Sequence, residues 1–368
     1  MSGDRNILAL NSGSSSLKFG IYRCGAKLPE LLAEGEAEEI GRETASFSFR
    51  KKGEEKRSQE RKIPDQPTAL ALSLDALKST GLAIPNAVGH RFVHGGAVLR
   101  EHSKLTQDVY DKLRKAAQFA PLHVPLALAV LDAVREKMPD TPQVVCLDTA
   151  FHRTMPEVAR TFALPVGIRQ MGVERYGFHG ISLESILAQL DPVPDRLVVA
   201  HLGNGCSITA IHRGVSIDTS MGLTPTGGFM MGTRPGDLDP GIVIFLVRNG
   251  YGDASNLEQM LDHECGLKGV SEKSSDVRDL TRDRAEDHNS DLALRMFTYQ
   301  ATKTIAAMAS ALGGMDHLVF TGGIGEHAGE IRDEICSGLT FMGKCTVQVL
   351  PSEENRQIAR ITASLAAS

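Results

Sequence analysis

Three short apolar runs in this sequence each end in a turn rich in glycine or serine, and this pattern limits the fold more than any other feature. The turns occupy residues 11–16, 203–207 and 322–325, and the runs before them have the length of buried strands. Glycine lets a backbone turn sharply, and successive backbone N–H groups in such turns form concavities that bind anions. The pattern predicts an α/β fold in which loops at strand ends bind phosphate.

Two of these segments resemble each other, which indicates an internal repeat. Residues 9–17 and 200–208 align at a constant offset of 191 residues, and each predicts a strand, a glycine-bearing turn and a second strand. The chain has 368 residues, a length that favours two domains. We therefore expect two similarly built α/β domains, each of which presents a hairpin turn to a shared cleft.

Composition excludes several classes of protein. The 40 basic and 45 acidic residues give a formal net charge of −5, whereas a generic nucleic-acid binder carries a basic excess. The apolar runs fall short of the roughly 18 residues that a membrane helix needs, and the N-terminus lacks the pattern of a signal peptide. The six cysteines form no C-x-x-C pair, which disfavours a disulfide framework or structural zinc. We expect a soluble, cytoplasmic protein with neither a nucleic-acid partner nor a membrane partner.

Two charged residues lie in or directly after predicted strands. Arg91 shares a predicted strand with Val93, and a guanidinium beside an aliphatic side chain suits a small ligand with a carboxylate head and an apolar tail. A buried structural ion pair is the alternative. Asp148 directly follows the predicted strand 144–147, at the end where ligands bind in open α/β sheets. It could orient Mg²⁺ or act as a base, or it could simply cap the segment that follows.

Two further residues lie in glycine-rich segments. Arg234 could close on a transferring phosphoryl group in the manner of an arginine finger, or it could be a solvated loop arginine. His179 could donate to phosphoryl oxygens, or it could be a histidine of the core. The position of His123 between two apolar residues favours a structural role for its side chain.

These residues lie in motifs that, taken together and in order, resemble the acetokinase family of the acetate and sugar kinase/Hsp70/actin superfamily. The resemblance extends from residue 6 to about residue 360. The motifs that carry it are NSGSSSLK at 11–18, HRFVHGG at 90–96, DTAFH at 148–152, RYGFHG at 175–180, HLGNG at 201–205, MGTRPGD at 231–237 and FTGGIGE at 320–326.

The resemblance implies an α/β fold of two ribonuclease H-like (actin-like ATPase) domains with a nucleotide cleft between them. The first domain would comprise residues 1–149 and 352–368, and would be closed by the C-terminal helix. The second, residues 150–351, would bind nucleotide and form the contacts of a homodimer. The implied reaction is reversible phosphoryl transfer from ATP to acetate, which gives acetyl phosphate and ADP and uses Mg²⁺, with Mn²⁺ as an alternative ion.

The family motifs also imply roles for individual residues. The catalytic residues would be Asp148, His179 and Arg234. Arg91 would hold the acyl carboxylate, and the walls of the acyl pocket would be Val93, Leu122, Phe178 and Pro225. Asn11 and Glu354 would bind the metal ion. The nucleotide would be bound by Lys18, His201, Leu202, Gly203, Asn204, Gly205, Asp276, Val277, Arg278, Gly323, Ile324, Gly325, Glu326 and His327. Because a carboxylate acceptor is already ionised near neutral pH, Asp148 is not needed as a base, and organisation of Mg²⁺ or its water shell is the favoured role.

The sequence departs from the family pattern at six positions, and alternatives to acetate phosphorylation remain open. The departures are Val124, Ile181, Leu183, Gly227, His327 and Asn355. A propionate or butyrate kinase is one alternative, although Val93 favours a small acyl pocket. An Hsp70-like or actin-like module driven by ATP is a second, and a regulatory relative without turnover is a third. Retention of Arg91, His179 and Arg234 argues against the third.

Overall fold

The computed structural model describes residues 4–25 and 28–367, which form two compact units. The first unit contains the described residues up to Ala150, the segment Gly180–Ser185 and the residues from Glu353 onward. The second contains Phe151–His179 and Ile186–Ser352. The domain prediction had assigned residues 180–185 to the second unit. They join the first because Gly180 donates its N–H to the carbonyl of Asp148 at 2.9 Å, and Glu184 accepts from Gln357 at 2.9 Å.

The elements of the described residues are numbered in chain order. The strands are β1 (Arg5–Ser12), β2 (Ser16–Cys24), β3 (Glu30–Glu38), β4 (Ala45–Lys51), β5 (Arg57–Arg61), β6 (Ala87–Phe92), β7 (Ser103–Lys104), β8 (Gln143–Leu147), β9 (Arg196–Leu202), β10 (Cys206–His212), β11 (Val215–Thr219), β12 (His317–Thr321) and β13 (Thr346–Val349). The helices are α1 (Gln66–Ser79), α2 (Gln107–Ala116), α3 (Val124–Lys137), α4 (Glu157–Arg160), α5 (Val166–Arg169), α6 (Gly180–Leu187), α7 (Pro240–Arg248), α8 (Ala254–His263), α9 (Gly266–Ser271), α10 (Val277–Asp283), α11 (His288–Ala311), α12 (Gly322–His327), α13 (Gly329–Ser337) and α14 (Glu354–Ala367).

The first unit is built on an eight-stranded sheet in the order β5-β4-β3-β2-β1-β6-β8-β7. Strands β3, β2 and β1 form an antiparallel meander, and β6 and β8 continue the sheet parallel to β1. Helices cover both faces: Leu70 and Val130 of α1 and α3 pack in one apolar cluster, and Ile358 of α14 packs in another. Six of the eight residues of β1 are therefore buried, as expected of a strand with both faces covered.

The second unit contains a five-stranded sheet in the order β11-β10-β9-β12-β13. Again a meander of three antiparallel strands is followed by two strands parallel to its last member. Helix α11 is capped at its N-terminus by Asp287, whose carboxylate accepts from the N–H of Ser290 at 3.1 Å. It buries Ala293, Phe297 and Ala301, which are spaced four residues apart along one side of the helix.

The two sheets explain the similarity between residues 9–17 and residues 200–208. Strands β1 and β9 begin at Arg5 and Arg196, and these two residues have the same offset of 191. Each strand is the last member of a meander and the first member of a parallel set. The expectation of two similarly built α/β units is confirmed. None of the helices in the described ranges is long and apolar enough to cross a membrane.

Two local predictions were wrong. Residues 322–325 form the start of the short helix α12, because the Glu326 carboxylate accepts from the N–H of Gly322 at 3.1 Å and caps its first turn. Strand β6 ends at Phe92, so Val93 lies in the bend that follows and does not share the strand with Arg91.

Candidate active site

In the first unit, three predicted site residues lie at the carboxyl ends of neighbouring strands. Asn11 lies near the end of β1, Arg91 near the end of β6, and Asp148 directly after β8. These three strands are adjacent and parallel, so their ends meet at one edge of the sheet. Arg91 donates through Nε to both oxygens of Asp148 at 3.0 and 3.1 Å and through Nη2 to Oδ2 at 2.6 Å, and its Nη1 donates to Oδ1 of Asn11 at 3.0 Å.

Glu354 joins this cluster from the far end of the chain. The amide nitrogen of Asn11 donates to Oε2 of Glu354 at 2.8 Å, although 343 residues separate them. The two residues that the resemblance implies as metal ligands therefore lie in contact. Lys18 lies directly opposite Asn11 in the β1–β2 register, which places the two side chains on one face of the sheet.

Burial determines the electrostatics of the pair formed by Arg91 and Asp148. The Asp148 side chain is 1% exposed and that of Arg91 is 16% exposed. Burial raises the pKa of Asp148 above its ordinary value, and the guanidinium of Arg91 opposes that rise. Burial tends to lower the pKa of Arg91, but the charges of Asp148 and Glu354 outweigh this and raise it. Arg91 therefore keeps its positive charge, and the Asp148 carboxylate is its ion-pair partner.

The donors around this cluster fit a hard cation. Asn11, Asp148 and Glu354 offer only oxygen ligands, the type that Mg²⁺ prefers. Within residues 4–25 and 28–367, no group of three or more histidine, cysteine, aspartate and glutamate side chains could hold a metal. The cluster therefore suits an ion such as Mg²⁺ that is bound through few protein ligands and keeps water or phosphate oxygens.

Two of the residues that the resemblance assigns to the acyl pocket belong to this unit. Val93 is buried just after β6, and Leu122 is half-buried just before α3. Both side chains are aliphatic, as the wall of a small apolar pocket requires. Phe178 and Pro225 belong to the second unit, where Phe178 is buried and Pro225 is half-buried.

In the second unit, His179 has a strained backbone. Its φ is 59°, in the left-handed region that non-glycine residues rarely adopt and that costs roughly 1–2 kcal/mol. Gly177 precedes it with φ 73°, and a Cβ there would lie 2.6 Å from the ring of His152. His152 donates through Nε2 to the carbonyl of Phe178 at 2.9 Å and supports the turn. Strain held in this way is typical of functional sites.

His179 and Arg234 converge on Gly205. A Cβ added to Gly205 would lie 3.3 Å from Nε2 of His179 and 3.0 Å from Nη2 of Arg234. Glycine at this position therefore leaves room for both polar groups. The Nη1 group of Arg234 donates to the carbonyl of Pro225 at 2.6 Å, which orients the guanidinium. Two donors directed to one place can stabilise a developing negative charge.

Apart from Lys18, which belongs to the first unit, the predicted nucleotide residues occupy three places in the second unit. The turn after β9 is closed by a bond from the N–H of Gly203 to the carbonyl of Gly205 at 3.1 Å, and the carbonyl of Asn204 accepts from Gly232 at 3.1 Å. Leu202 is buried, which leaves only its backbone for a ligand. These predicted nucleotide contacts stay predictions.

The other nucleotide candidates have structural partners of their own. Asp276 caps α10 by accepting from the N–H of Arg278 at 2.8 Å. The carboxylate of Glu326 accepts from the N–H groups of Gly322 and Ser352 at 3.1 and 3.0 Å. Val277 is buried at the start of α10, whereas Gly323, Ile324 and His327 lie on α12. Glu326 therefore holds the backbone around α12.

Sequence reasoning did not identify two residues as supports of His179, although one of them lies in the turn 203–207 that was predicted to bind phosphate. These are His152 and Ser207, whose hydroxyl lies 3.0 Å from Nδ1 of His179. A signal for Ser207 was present, because the predicted hairpin places it opposite His201. Nothing in the local sequence of His152 indicated that it lies beneath Gly177.

Comparison with known proteins defines the family. The acetokinase family profile matches residues 6–363. The chain is 38% identical to the acetate kinase of Phocaeicola vulgatus, over 98% of this chain and 99% of that protein. It is 39% identical to the acetate kinase of Oceanobacillus iheyensis, over 92% of this chain and 87% of that one.

Comparison with solved structures indicates the same family. The acetate kinase of Porphyromonas gingivalis superposes with a TM-score of 0.86 at 34% identity, covering 98% of this chain and 99% of that one. A propionate kinase from Francisella tularensis superposes with a TM-score of 0.91 at 32% identity, covering 98% and 100%. With the two repeated sheets, these similarities define a small-molecule kinase of the actin-like ATPase fold. The chain belongs to the acetokinase family, whose members are phosphotransferases with a carboxyl group as acceptor.

Proposed function

We propose that this chain catalyses reversible transfer of the γ-phosphoryl group of ATP to acetate, which gives acetyl phosphate and ADP. The observation that carries the proposal is the cluster at the strand ends of the first unit, where the half-buried Arg91 adjoins the contact between Asn11 and Glu354. This arrangement offers a guanidinium for a carboxylate next to oxygen ligands for a metal–phosphate complex. The names of the relatives support acetate as the acceptor.

Arg91 is suited to hold the acceptor. A guanidinium has five N–H groups, and the bonds to Asp148 and Asn11 draw on one hydrogen from each of its three nitrogens. A second hydrogen on each terminal nitrogen is left for the acetate carboxylate. The family resemblance assigns the contacts with the methyl group to Val93, Leu122, Phe178 and Pro225.

The transfer step needs no proton acceptor. A carboxylate with a pKa near 4 is ionised at neutral pH. One acetate oxygen attacks the γ-phosphorus, the bond from that phosphorus to the β–γ bridging oxygen breaks, and ADP leaves with the electron pair. His179 and Arg234 would stabilise the charge on the equatorial oxygens of the phosphoryl group. Asp148 would hold Arg91 in place.

Mg²⁺ would be held by Asn11 and Glu354. When bound, this ion would neutralise charge on the phosphate oxygens. Lys18, on the same sheet face as Asn11, would contact phosphate. In the second unit, the turn at 203–205, the start of α10 and helix α12 would hold the rest of the nucleotide.

The test is ATP-dependent formation of acyl hydroxamate with acetate, propionate and butyrate in parallel. We expect the highest kcat/KM with acetate. Arg91→Ala should remove the product with all three acids, while the exposed Arg213→Ala should not. A preference for propionate would assign the chain to the kind of activity named for the Francisella relative, and absence of turnover with every acid would refute the proposal.

The active form is proposed to be a homodimer. Helix α7 has no buried residue, and it exposes the apolar run 242–247, in which Ile244 and Phe245 are 50% and 63% exposed. A contiguous apolar surface of this kind marks an interaction site. The run contains no charge to match against a charged partner, and a second copy of the same helix would cover it with the same chemistry. Since ATP and ADP are solutes of the cytoplasm, we propose a cytoplasmic location.

A further inference from the structure

One pair of residues that face each other across the β9–β10 hairpin holds the ring of His179. Ser207 and His201 are directly opposite in the antiparallel register, so their side chains leave the same face of the sheet. Both residues are buried. The pair therefore provides a fixed surface in the second unit next to the turn at 203–205.

The two side chains restrain different parts of the imidazole of His179. The hydroxyl of Ser207 lies 3.0 Å from Nδ1, and the ring of His201 stacks on the face of His179 with centroids 4.2 Å apart and planes 22° apart. The stacking limits tilt of the ring. The hydrogen bond limits rotation of the ring about its bond to Cβ, because the flipped ring would place a carbon at the hydroxyl.

This restraint controls where Nε2 points and what it can do there. Nε2 faces the position above Gly205 that the Arg234 guanidinium also faces. In a neutral imidazole, one nitrogen carries hydrogen and the other accepts. If the Ser207 hydroxyl donates to Nδ1, the hydrogen of the ring is on Nε2, and this nitrogen can donate to a phosphoryl oxygen.

We propose that Ser207 is a positioning residue that orients His179 and holds it in the form with hydrogen on Nε2, ready to donate to the transferring phosphoryl group. This inference rests on the proposed function. Ser207 is fully buried and would act through its hydrogen bond to His179.

The kinetic test is a double-mutant cycle of Ser207→Ala and His179→Gln. We expect Ser207→Ala to lower kcat by about 10-fold to 100-fold, as loss of an orienting partner does, and to change the KM for acetate and ATP by less than about threefold. In the His179→Gln background, the same change should lower kcat by less than about twofold, because the group that Ser207 orients is gone. If each substitution lowered kcat by the same factor alone and in the double variant, the proposal would be wrong. Ser73→Ala, which removes a buried serine hydroxyl within α1, is the matched control and should leave kcat unchanged.

The second readout does not depend on turnover. Nitrogen-15 NMR of the histidine side chains distinguishes hydrogen on Nε2 from hydrogen on Nδ1. We expect the wild-type His179 to show the Nε2-protonated form and Ser207→Ala to show a mixture. A wild-type protein without kinase activity but with this NMR result would refute the proposed function and leave the contact intact. An active wild-type enzyme whose His179 signals do not respond to Ser207→Ala would refute the positioning role.

Discussion

Arg91 and Asp148 form a buried ion pair in which the guanidinium meets the carboxylate side on. Three contacts of 2.6–3.1 Å join them, and the Asp148 side chain is almost fully buried. A carboxylate held in this way is directed at the arginine, so it is placed to orient the guanidinium. This geometry supports the view that acetate needs no base and that Asp148 fixes the residue that would bind it.

The Asp148→Asn variant should distinguish a role of Asp148 in positioning Arg91 from a role in proton transfer. The amide keeps the shape but loses the charge, so Arg91 is left less well oriented, and we expect the KM for acetate to rise about 10-fold or more with a lower kcat. Because no proton is transferred to Asp148, the shape of the kcat/KM profile between about pH 6 and 8 should stay the same. Steady-state kinetics across that range measure both effects.

The control for this variant is Asp316→Asn, which alters a similar but exposed pair with Arg196. It should leave the acetate KM unchanged. If Asp148→Asn removed the acidic limb of the pH profile, a role as general base would be favoured and the positioning role would be wrong.

Arg234→Ala should affect the transition state more than substrate binding. The guanidinium is directed at the position above Gly205 that Nε2 of His179 also faces, where charge would develop on the phosphoryl group. Arginine fingers contribute about 10³–10⁵ in kcat, and we expect a loss of at least about 10²-fold with little change in the acetate KM. Arg213→Ala, which removes an exposed arginine of the same unit, should be neutral. A rise in KM with kcat preserved would contradict the transition-state role.

The parts of the fold that local patterns encode were predictable. The repeat at an offset of 191 residues predicted two similarly built units, and the β1–β2 and β9–β10 hairpins are the corresponding elements. These features depend on the period of two in a strand and on turn chemistry, both of which act over a few residues.

The site depended on contacts that no local pattern contains. The bond from Asn11 to Glu354 joins residues 343 positions apart, and only the family resemblance indicated it. The support of His179 by Ser207 requires the register of β9 and β10 as well as the left-handed turn at 179. Helix α12 was missed because six residues rich in glycine look like a turn, and the bond from the N–H of Gly322 to Glu326 forms only once the helix is folded.

The buried His90 should make stability depend on pH. Burial lowers its pKa to about 4, and its Nε2 donates to the side-chain carbonyl of Gln143 at 2.8 Å. The folded state therefore keeps His90 neutral while the unfolded chain takes up a proton below its pKa of about 6.5. The contribution of His90 to stability is complete above about pH 6.5 and is lost as the pH falls toward about 4, at roughly 1 kcal/mol per pH unit.

His90→Gln removes this titration and keeps a donor for Gln143. Between pH 7 and 5, we expect the wild-type protein to lose about 1–2 kcal/mol more unfolding free energy than the variant does. Urea unfolding at pH 7, 6 and 5 measures the difference. His212→Gln, at an exposed histidine, should follow the wild-type curve, and equal slopes for the wild type and His90→Gln would show that His90 does not titrate as its burial implies.

Phe245→Glu should dissociate the proposed homodimer. Phe245 is exposed on α7 among Ile242, Ile244 and Val247, and a second copy of this surface would bury it. A carboxylate placed in such an apolar contact without a partner is strongly unfavourable, so we expect the dimer Kd to rise by about 100-fold or more. Light scattering after size exclusion measures the mass across a dilution series. Ile84→Glu changes an apolar residue of the first unit that is 78% exposed, and it should keep the mass of the wild type. A wild-type protein that is monomeric, or a Phe245→Glu variant that stays dimeric at every dilution, would exclude α7 from the interface.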